Sequence, residues 1–553
     1  MQDSSPRRRR VPRGLAFRVA PRRIGSVLAG GVVGHAIHGH PGGGMIAPLV
    51  LGLWLHLLRG ASRRETVLAC GAFGLCAGMA TETWVPEAAA RATSSWTFGV
   101  TLFVLLALTH GSLPWMCLGV VFHAIEQSRP SHRLIVAASA TFAIETIVCT
   151  SGGFVPWVLL GYTQSPDEVG WASLAALGGV PIVSAALMAI AVCVRAILEA
   201  PRRSRPPPSV VATLVAALSY PALLEIGVAI RSSRADAPRP APQIVAVQPN
   251  FPREARWRPA RQRVHLDRIG RYTKRVLGGL STKPEFVIWP ENVVTPGIAG
   301  ADLRPALGDW AHDIGATLIS GLAIPESAST ARRYRNVVLR VAPTGRDAKV
   351  LEKQILIPFL ESEGLAGARL AWLSSWLGRD FQGAPRALSS SEPWEAGPDP
   401  LVAPVLCFEA LFPREVARRR GARTRVLATL ADDSWIPDRS ATDQLARYSA
   451  FRAIEQALPH VRVAHGGRSV VHDAMGRVID SLPLGQWGAL VVRGARHPGP
   501  RPLCRAALAS SLLSGALVAL ALGLGRRPRS AEGRTRGGSK RGRARSIEPS
   551  CQT

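Results

Sequence analysis

Leu401-Val402-Ala403-Pro404-Val405-Leu406 is a β-rich run that ends on Cys407, and Phe408-Glu409-Ala410-Leu411-Phe412-Pro413 leads from it into a helical stretch over residues 412–421. A strand that gives way to a helix at a reactive side chain is a building unit of α/β sheets. The same grammar recurs around it. Gln243-Ile244-Val245-Ala246-Val247, Glu285-Phe286-Val287-Ile288-Trp289, Thr317-Leu318-Ile319-Ser320-Gly321-Leu322, Asn336-Val337-Val338-Leu339-Arg340-Val341 and Val426-Leu427-Ala428-Thr429-Leu430 read as strands, with a helix over 261–280. Residues 231–503 therefore read as an α/β domain, a sheet covered by helices. Active residues in such sheets tend to lie at strand ends. Glu291 follows the strand at Trp289 and a proline that cannot donate to the ladder, so it is expected where that strand stops.

The rest of the chain is of another kind. Of 553 residues, 47% are hydrophobic and only 19% charged, which is not an ordinary soluble composition. The apolar residues gather at both ends, and spans are expected near 24–39, 44–59, 66–81, 98–125, 133–160, 171–198 and 209–230, with a last one at 505–524. This divides the chain into a basic terminus (1–23), a membrane domain (24–230), the polar domain (231–503), a final span (505–524) and a basic disordered tail (525–553).

A net charge of +29 invites a nucleic-acid reading, but its location argues for membrane topology. Residues 1–23 and 525–553 each contribute +7, and further arginines lie in short loops at Arg59-Arg63-Arg64, Arg129-Arg133 and Arg202-Arg203-Arg205. The intervening loops carry Glu82-Glu87-Arg91 and Asp167-Glu168 instead. That alternation is what the positive-inside rule produces for a cytoplasmic N-terminus. Seven crossings then put 231–503 outside, in the periplasm, and the eighth returns the tail. No nucleic-acid partner is expected. The N-terminal arginines resemble a signal-peptide n-region, but several spans follow and no small-residue cleavage site stands directly after the first.

Cys407 is the one cysteine between 231 and 503; Cys70, Cys76, Cys117, Cys149, Cys193, Cys504 and Cys551 lie elsewhere. Neither a disulfide framework nor a C-x-x-C zinc pair can be built from these positions. Taken alone, Cys407 reads equally as a small core residue, and Trp289-Pro290-Glu291 as a turn with a surface carboxylate. Lys353 is less ordinary. The chain has five lysines against 62 arginines, so a lysine at this place suggests a need for a compact ammonium rather than a planar fork. A thiol, a carboxylate and an amine from three segments have the parts of a covalent acyl-transfer site.

In this order, Trp289-Pro290-Glu291, Lys353 to Glu361 and Cys407-Phe408-Glu409 resemble the Glu-Lys-Cys site of the nitrilase (carbon-nitrogen hydrolase) superfamily. With the expected spans on either side, the chain resembles its bacterial apolipoprotein N-acyltransferase family. Gln248-Pro249-Asn250-Phe251-Pro252 followed by Trp257 is similar to that family's Q-G-N-x-P segment and its tryptophan. Lys353-Gln354-Ile355-Leu356-Ile357-Pro358-Phe359-Leu360-Glu361 is similar to K-x-x-L-V-P-F-G-E, Ala431 to Trp435 to N-D-A-W-F, and Arg452-Ala453-Ile454-Glu455 to R-A-x-E. The departures are Phe408 for Tyr, Asp432 for Asn, His465-Gly466 for an Asn pair and Leu360 for Gly.

The resemblance implies an αββα nitrilase-like sandwich beside a multi-span helical membrane domain, in a monomer of the bacterial inner membrane with its catalytic domain in the periplasm. It implies Glu291 as general base, Cys407 as nucleophile and Lys353 as oxyanion stabiliser. Glu361 would orient Lys353, while Phe408, Glu409, Trp257 and Trp435 would line the site. The substrates implied are a phospholipid acyl donor and the diacylglyceryl-cysteine amino group of lipoproteins, with no metal or cofactor. Trp372 and Trp376, at i and i+4, would share one helix face at the lipid boundary, or belong to an ordinary amphipathic helix packed on its own domain. Two other readings use the same residues: a membrane-tethered amidase, and a non-catalytic lipoprotein-binding paralogue.

Overall fold

The computed structural model describes residues 13–39, 43–151, 155–166, 171–200, 207–216, 242–252, 258, 261–295, 304–325, 334–345, 348–357, 361 and 401–493. The apolar N-terminal part forms helices α1 (Arg13–His38), α2 (Gly43–Leu57), α3 (Arg63–Thr81), α4 (Val85–Thr93), α5 (Trp96–Leu106), α6 (Leu113–Ala124), α7 (Pro130–Thr150), α8 (Ala175–Gly178) and α9 (Val180–Glu199). Sequence sets several ends. Ser62 and Glu65 close a reciprocal capping box at the start of α3, and prolines stand in the first turns of α4, α6, α7 and α9, where a missing N–H costs nothing. A π turn, Ala107–Ser112, joins α5 to α6. There Gly111 faces Gly74 of α3 so closely that a Cβ on either would strike the other's carbonyl. Small residues are what allow such backbone approach in a membrane bundle. Trp54 stacks on Phe73 in its centre, and Trp115 packs edge-on and tilted against them.

Among the described residues three helical stretches are long and apolar enough to cross a membrane: Trp96–Ala124, Pro130–Thr150 and Val180–Glu199. Arg63–Thr81 with Val85–Arg91 makes a fourth if that pair, bent by 54°, is one span. The expected span limits therefore shift. Helix stops at Thr150 rather than 160, ahead of Gly152, Gly153 and Pro156, and the helix expected from 171 begins at Val180, after a 3-10 turn at Trp171–Leu174. The expected span at 209–230 lies mostly outside the described residues, and those at 505–524 and the tail lie wholly outside them.

The polar part holds strands β1 (Ile244–Gln248), β2 (Phe286–Val294), β3 (Thr317–Pro325), β4 (Tyr334–Val341), β5 (Ala348–Glu352), β6 (Val402–Leu406), β7 (Val426–Asp432), β8 (His460–His465), β9 (Ser469–His472), β10 (Val478–Leu482) and β11 (Gly488–Val492). Its helices are α10 (Gln262–Gly278), α11 (Arg304–Ile314), α12 (Pro413–Arg419) and α13 (Arg439–Gln456). Two sheets result, ordered β11-β1-β2-β3-β4-β5 and β10-β9-β8-β7-β6. Strands β1-β2-β3 and β6-β7-β8 run parallel, and the outer pairings are antiparallel.

The sheets face each other through Ile244, Ile288, Val338, Leu406, Leu430 and Val463, all buried. The far side of the first sheet packs on α10 and α11 through Val287, Leu266 and Leu307. The far side of the second carries Val416 of α12. Both faces of each sheet are thus covered, which is why the central strands read as continuous apolar runs. This is an αββα sandwich, as the resemblance implied. Helix α13 has a second duty: its Leu445, Tyr448, Phe451 and Ile454 join the core of the membrane bundle. Tyr448 donates to the Trp157 carbonyl at 2.8 Å, Trp157 Nε1 donates to Gln444 at 2.8 Å, and Arg447 donates to the carbonyls of Ile37 and Tyr162, each at 2.7 Å.

Candidate active site

Strand β6 ends at Leu406, and Cys407 opens a 3-10 turn, Cys407–Leu411, with its backbone at φ 41°. A non-glycine residue is seldom held in the left-handed region unless the surroundings fix it there. Glu409, fully buried, does much of the fixing. Its Oε2 accepts from Leu406 N at 3.1 Å, while its Oε1 accepts from Gln354 N, from Ile355 N at 3.2 Å and from Arg419 Nη2 at 3.1 Å. With that many donors, this carboxylate ties the cysteine turn to the segment carrying Lys353. From the bundle side Arg452 Nη1 donates to the carbonyls of Ala410 at 3.3 Å and Leu411 at 2.9 Å. The helix expected at Phe412 starts one residue later as α12, because Pro413 suits a first helical position. Its positive end therefore lies beyond the turn, not at the thiol.

Strand β2, expected to stop at Trp289, runs on to Val294 with a left-handed residue at Asn292. Its pairing with β1 ends at Ile288, and its register on β3 breaks between Trp289 and Val294, as Pro290 has no N–H for the ladder. Glu291 thus lies where β2 is not paired in the ladder. Gly321 of β3 permits this course, since a Cβ there would overlap the Cα of Glu291.

Lys353 follows β5 and is anchored by its N–H to the Asn336 carbonyl at 2.9 Å. Its ammonium donates to Glu291 Oε1 at 3.0 Å and to Glu361 Oε1 at 2.7 Å. Asn336 Nδ2 donates to the same Glu361 oxygen at 2.8 Å, and Ile357 N to the other at 2.8 Å. Glu291 and Lys353 are each only 2% exposed, and Cys407 6%. Lys349, four residues earlier, is exposed on β5.

Burial governs the electrostatics here. It pushes the Glu291 carboxyl up to about 7, against the pull of Lys353 and with the repulsion of Glu361 and Asp432. Burial alone would weaken the Lys353 ammonium, but the two carboxylates and the thiol outweigh it and hold the group well above its ordinary value. Burial and the negative charge on Glu291 push the Cys407 thiol up, while Lys353 pulls it down. The resting site is therefore a thiol beside a carboxyl that titrates near neutrality and a permanently charged ammonium.

Around these groups stand residues that the sequence reading did not assign. Asn292, at φ 57°, donates to Asp432 Oδ2 at 3.2 Å. Arg462 donates to Asp433 at 2.6 Å, both buried. Asn336 and Arg419 hold Glu361 and Glu409 as described. Of these, Asn292, Asn336 and Arg462 stand as polar residues within apolar strands, the one signal that could have drawn attention to them. Phe408 packs edge-on to Phe412 at 5.4 Å, and half-buried Trp435 meets Trp84 of the bundle at 6.0 Å. Both lie against the bundle core, so they stand where sandwich and bundle meet. Trp257, Trp372 and Trp376 lie outside the described residues. Among the described residues no group of three or more His, Cys, Asp or Glu side chains could hold a metal ion.

Residues 31–193 match the family model of the apolipoprotein N-acyltransferase N-terminal domain. Curated relatives include the apolipoprotein N-acyltransferases of Brucella melitensis (27% identical over 357 residues, 63% of this chain and 64% of the relative) and Pseudomonas putida (28% over 342 residues, 61% and 63%). That of Azotobacter vinelandii is 29% identical over 378 residues, 66% of this chain and 69% of the relative. The chain thus spans somewhat less than two thirds of the length of the first two. Among solved structures, a variant of the Nesterenkonia AN1 amidase from the nitrilase superfamily aligns with 17% identity and a TM-score of 0.34, covering 47% of this chain and 94% of that one. By the match of its residues 31–193 and by these curated sequences, the chain is similar to the apolipoprotein N-acyltransferases.

Proposed function

We propose that this protein is an apolipoprotein N-acyltransferase that moves a fatty acyl group from a phospholipid to the α-amino group of an S-diacylglyceryl-cysteine, through a thioester on Cys407. The observation that carries the reading is the convergence of Lys353 on Glu291 and Glu361 beside a cysteine held at positive φ, in a sandwich seated on a membrane bundle. In the first step Glu291 takes the thiol proton and the thiolate attacks the ester carbonyl. Lys353 and the N–H of Phe408 stabilise the tetrahedral oxyanion. The C–O bond breaks, and the lysophospholipid alkoxide leaves with the proton that Glu291 held. In the second step Glu291 accepts a proton from the attacking amine, the C–S bond breaks, and the proton passes to the departing thiolate. Burial, which lifts the Glu291 carboxyl to about 7 despite its pairing with Lys353, suits this two-way traffic.

The topology proposed with it puts residues 231–503 in the periplasm, Trp372 and Trp376 at the lipid boundary and Trp257 over the site. A reporter fused after Ala235 tests the first point, and must be active only outside the cytoplasm. The function is tested by incubating the purified chain with phosphatidylethanolamine and measuring intact mass. An acyl adduct on Cys407 is expected, stable until a diacylglyceryl-cysteine peptide is added and absent in Cys407→Ala. An adduct that water discharges at the same rate with and without the peptide would instead identify an amidase, and no adduct at all a non-catalytic paralogue.

A further inference from the structure

Lys353 and Cys407 come from different sheets, and a set of bonds made by two buried side chains, Glu409 and Arg419, runs between their segments. Glu409 of the cysteine turn accepts from Gln354 N and from Ile355 N at 3.2 Å, the two residues after Lys353. Arg419 Nη2 donates at 3.2 Å to the carbonyl of Glu352, the residue before Lys353, and at 3.1 Å to Glu409 Oε1. Lys353 is thus bracketed, with the backbone on either side of it bonded to one carboxylate–guanidinium pair.

The pair is itself firmly held. Arg419 is the last residue of α12, a helix seated on the second sheet through Val416, and its Nε lies 2.8 Å from Glu415 Oε1 one turn earlier. The planar guanidinium loses little freedom in making such bonds, and it balances the charge of a carboxylate that has no water around it. Glu409 takes donors from Leu406 N, Gln354 N, Ile355 N and Arg419. A carboxylate has about four lone-pair sites, so these donors occupy its capacity. Glu409 therefore acts on the site through the backbone it ties, rather than by bonding to a substrate.

We propose that Arg419 is a positioning residue for the acyl-transfer step: through Glu409 and the Glu352 carbonyl it fixes the Lys353 ammonium against the Cys407 turn, so that the donor is in place when the oxyanion forms. The proposal rests on the reading of Cys407 as nucleophile and Lys353 as oxyanion donor.

The test compares two reactions of Cys407 in the full-length protein, each read by peptide mass spectrometry so that the other cysteines do not interfere. In acylation by p-nitrophenyl butyrate the S–C bond forms, p-nitrophenolate leaves and the thiol proton passes to Glu291, by way of an oxyanion that Lys353 stabilises. In alkylation by iodoacetamide the S–C bond forms and iodide leaves, and no oxyanion arises. Arg419→Gln is expected to slow acylation at saturating ester by roughly 10- to 100-fold, the scale of a donor misplaced by about 1 Å. The half-saturating ester concentration and the alkylation rate should change little. Arg418→Gln, on the same helix with a side chain 59% exposed, should react as the wild type in both. In Lys353→Arg, itself slow to acylate, adding Arg419→Gln should cost little more, since both changes act on one donor. If Arg419→Gln slows both reactions alike, or neither, the proposal is overturned, and a slow Lys353→Arg leaves the oxyanion assignment standing. If Lys353→Arg acylates at the wild-type rate, that assignment falls and the proposal with it. Should Arg419→Gln not fold, Arg419→Lys decides, because its ammonium keeps the charge but ends one bond short. Selective slowing of acylation in that variant upholds the proposal, and any other result overturns it.

Discussion

Lys353→Arg keeps the charge and should nevertheless disable the site. The lysine side chain is about 1% exposed, and its ammonium reaches two carboxylates at 3.0 and 2.7 Å. A planar guanidinium is wider than that ammonium and has no solvent to extend into. Fitting it by overpacking costs about 1–3 kcal/mol of stability. Displacing a preorganised oxyanion donor costs about 2.7–4 kcal/mol of transition-state stabilisation, roughly 100- to 1000-fold in rate. Lys349→Arg is the control: it lies exposed on β5, makes the same chemical change and should stay within about 0.5 kcal/mol of wild type. The assay is the rate of thioester formation on Cys407 in both variants, with thermal unfolding to show that each is folded. If the two variants acylate Cys407 at similar rates, Lys353 is not the oxyanion donor and the reasoning fails.

Gly321→Ala should lower stability by about 1–3 kcal/mol and slow acylation out of proportion, because its Cβ displaces the Glu291 backbone; thermal unfolding and acylation rate read the two effects. Arg452→Ala leaves Glu455 buried without its partner and two turn carbonyls without their donor, so a loss of about 3–5 kcal/mol is expected in unfolding experiments. His460 and His472 are pushed down to about 3 by burial, so the unfolded chain takes up protons below about 6.5 that the folded chain refuses. Stability should therefore be full above 6.5 and fall as pH drops toward 3, and replacing both with Gln should flatten that slope. Trp372→Ser with Trp376→Ser should weaken use of bilayer phospholipid more than use of a short water-soluble ester; equal losses would argue for a helix packed on its own domain.

The cysteine turn is held from both sides, one of them through α13 and the helical bundle. Arg452 joins the carbonyls after Cys407 to Glu455 at 2.8 Å, and Glu455 accepts from Val180 N of α9 at 3.3 Å. Trp435, Trp84, Trp157 and Tyr448 form a line of ring contacts along the same seam. On the function proposed above, a site that takes an acyl chain out of a bilayer is thereby fixed to the apolar bundle.

The sequence alone determined the division into apolar and polar parts and the strand and helix grammar of the sandwich. Those follow from local periodicity and from sheets buried on both faces, which leave continuous apolar runs. It also singled out Glu291, Lys353 and Cys407, by the scarcity of cysteine in the polar part and of lysine anywhere, and by motif order. The tertiary structure decided the rest. The course of β2 past Pro290 depends on the space at Gly321, the positive φ of Cys407 on Glu409 and Arg452, and the proton affinity of Glu291 on burial with Lys353, Glu361 and Asp432. Each of these brings together groups far apart in the chain, Asn292 and Asp432 being 140 residues apart and Arg452 and Tyr162 290. No local pattern encodes such pairs, because packing and burial fix them only once both sheets and the bundle are in place.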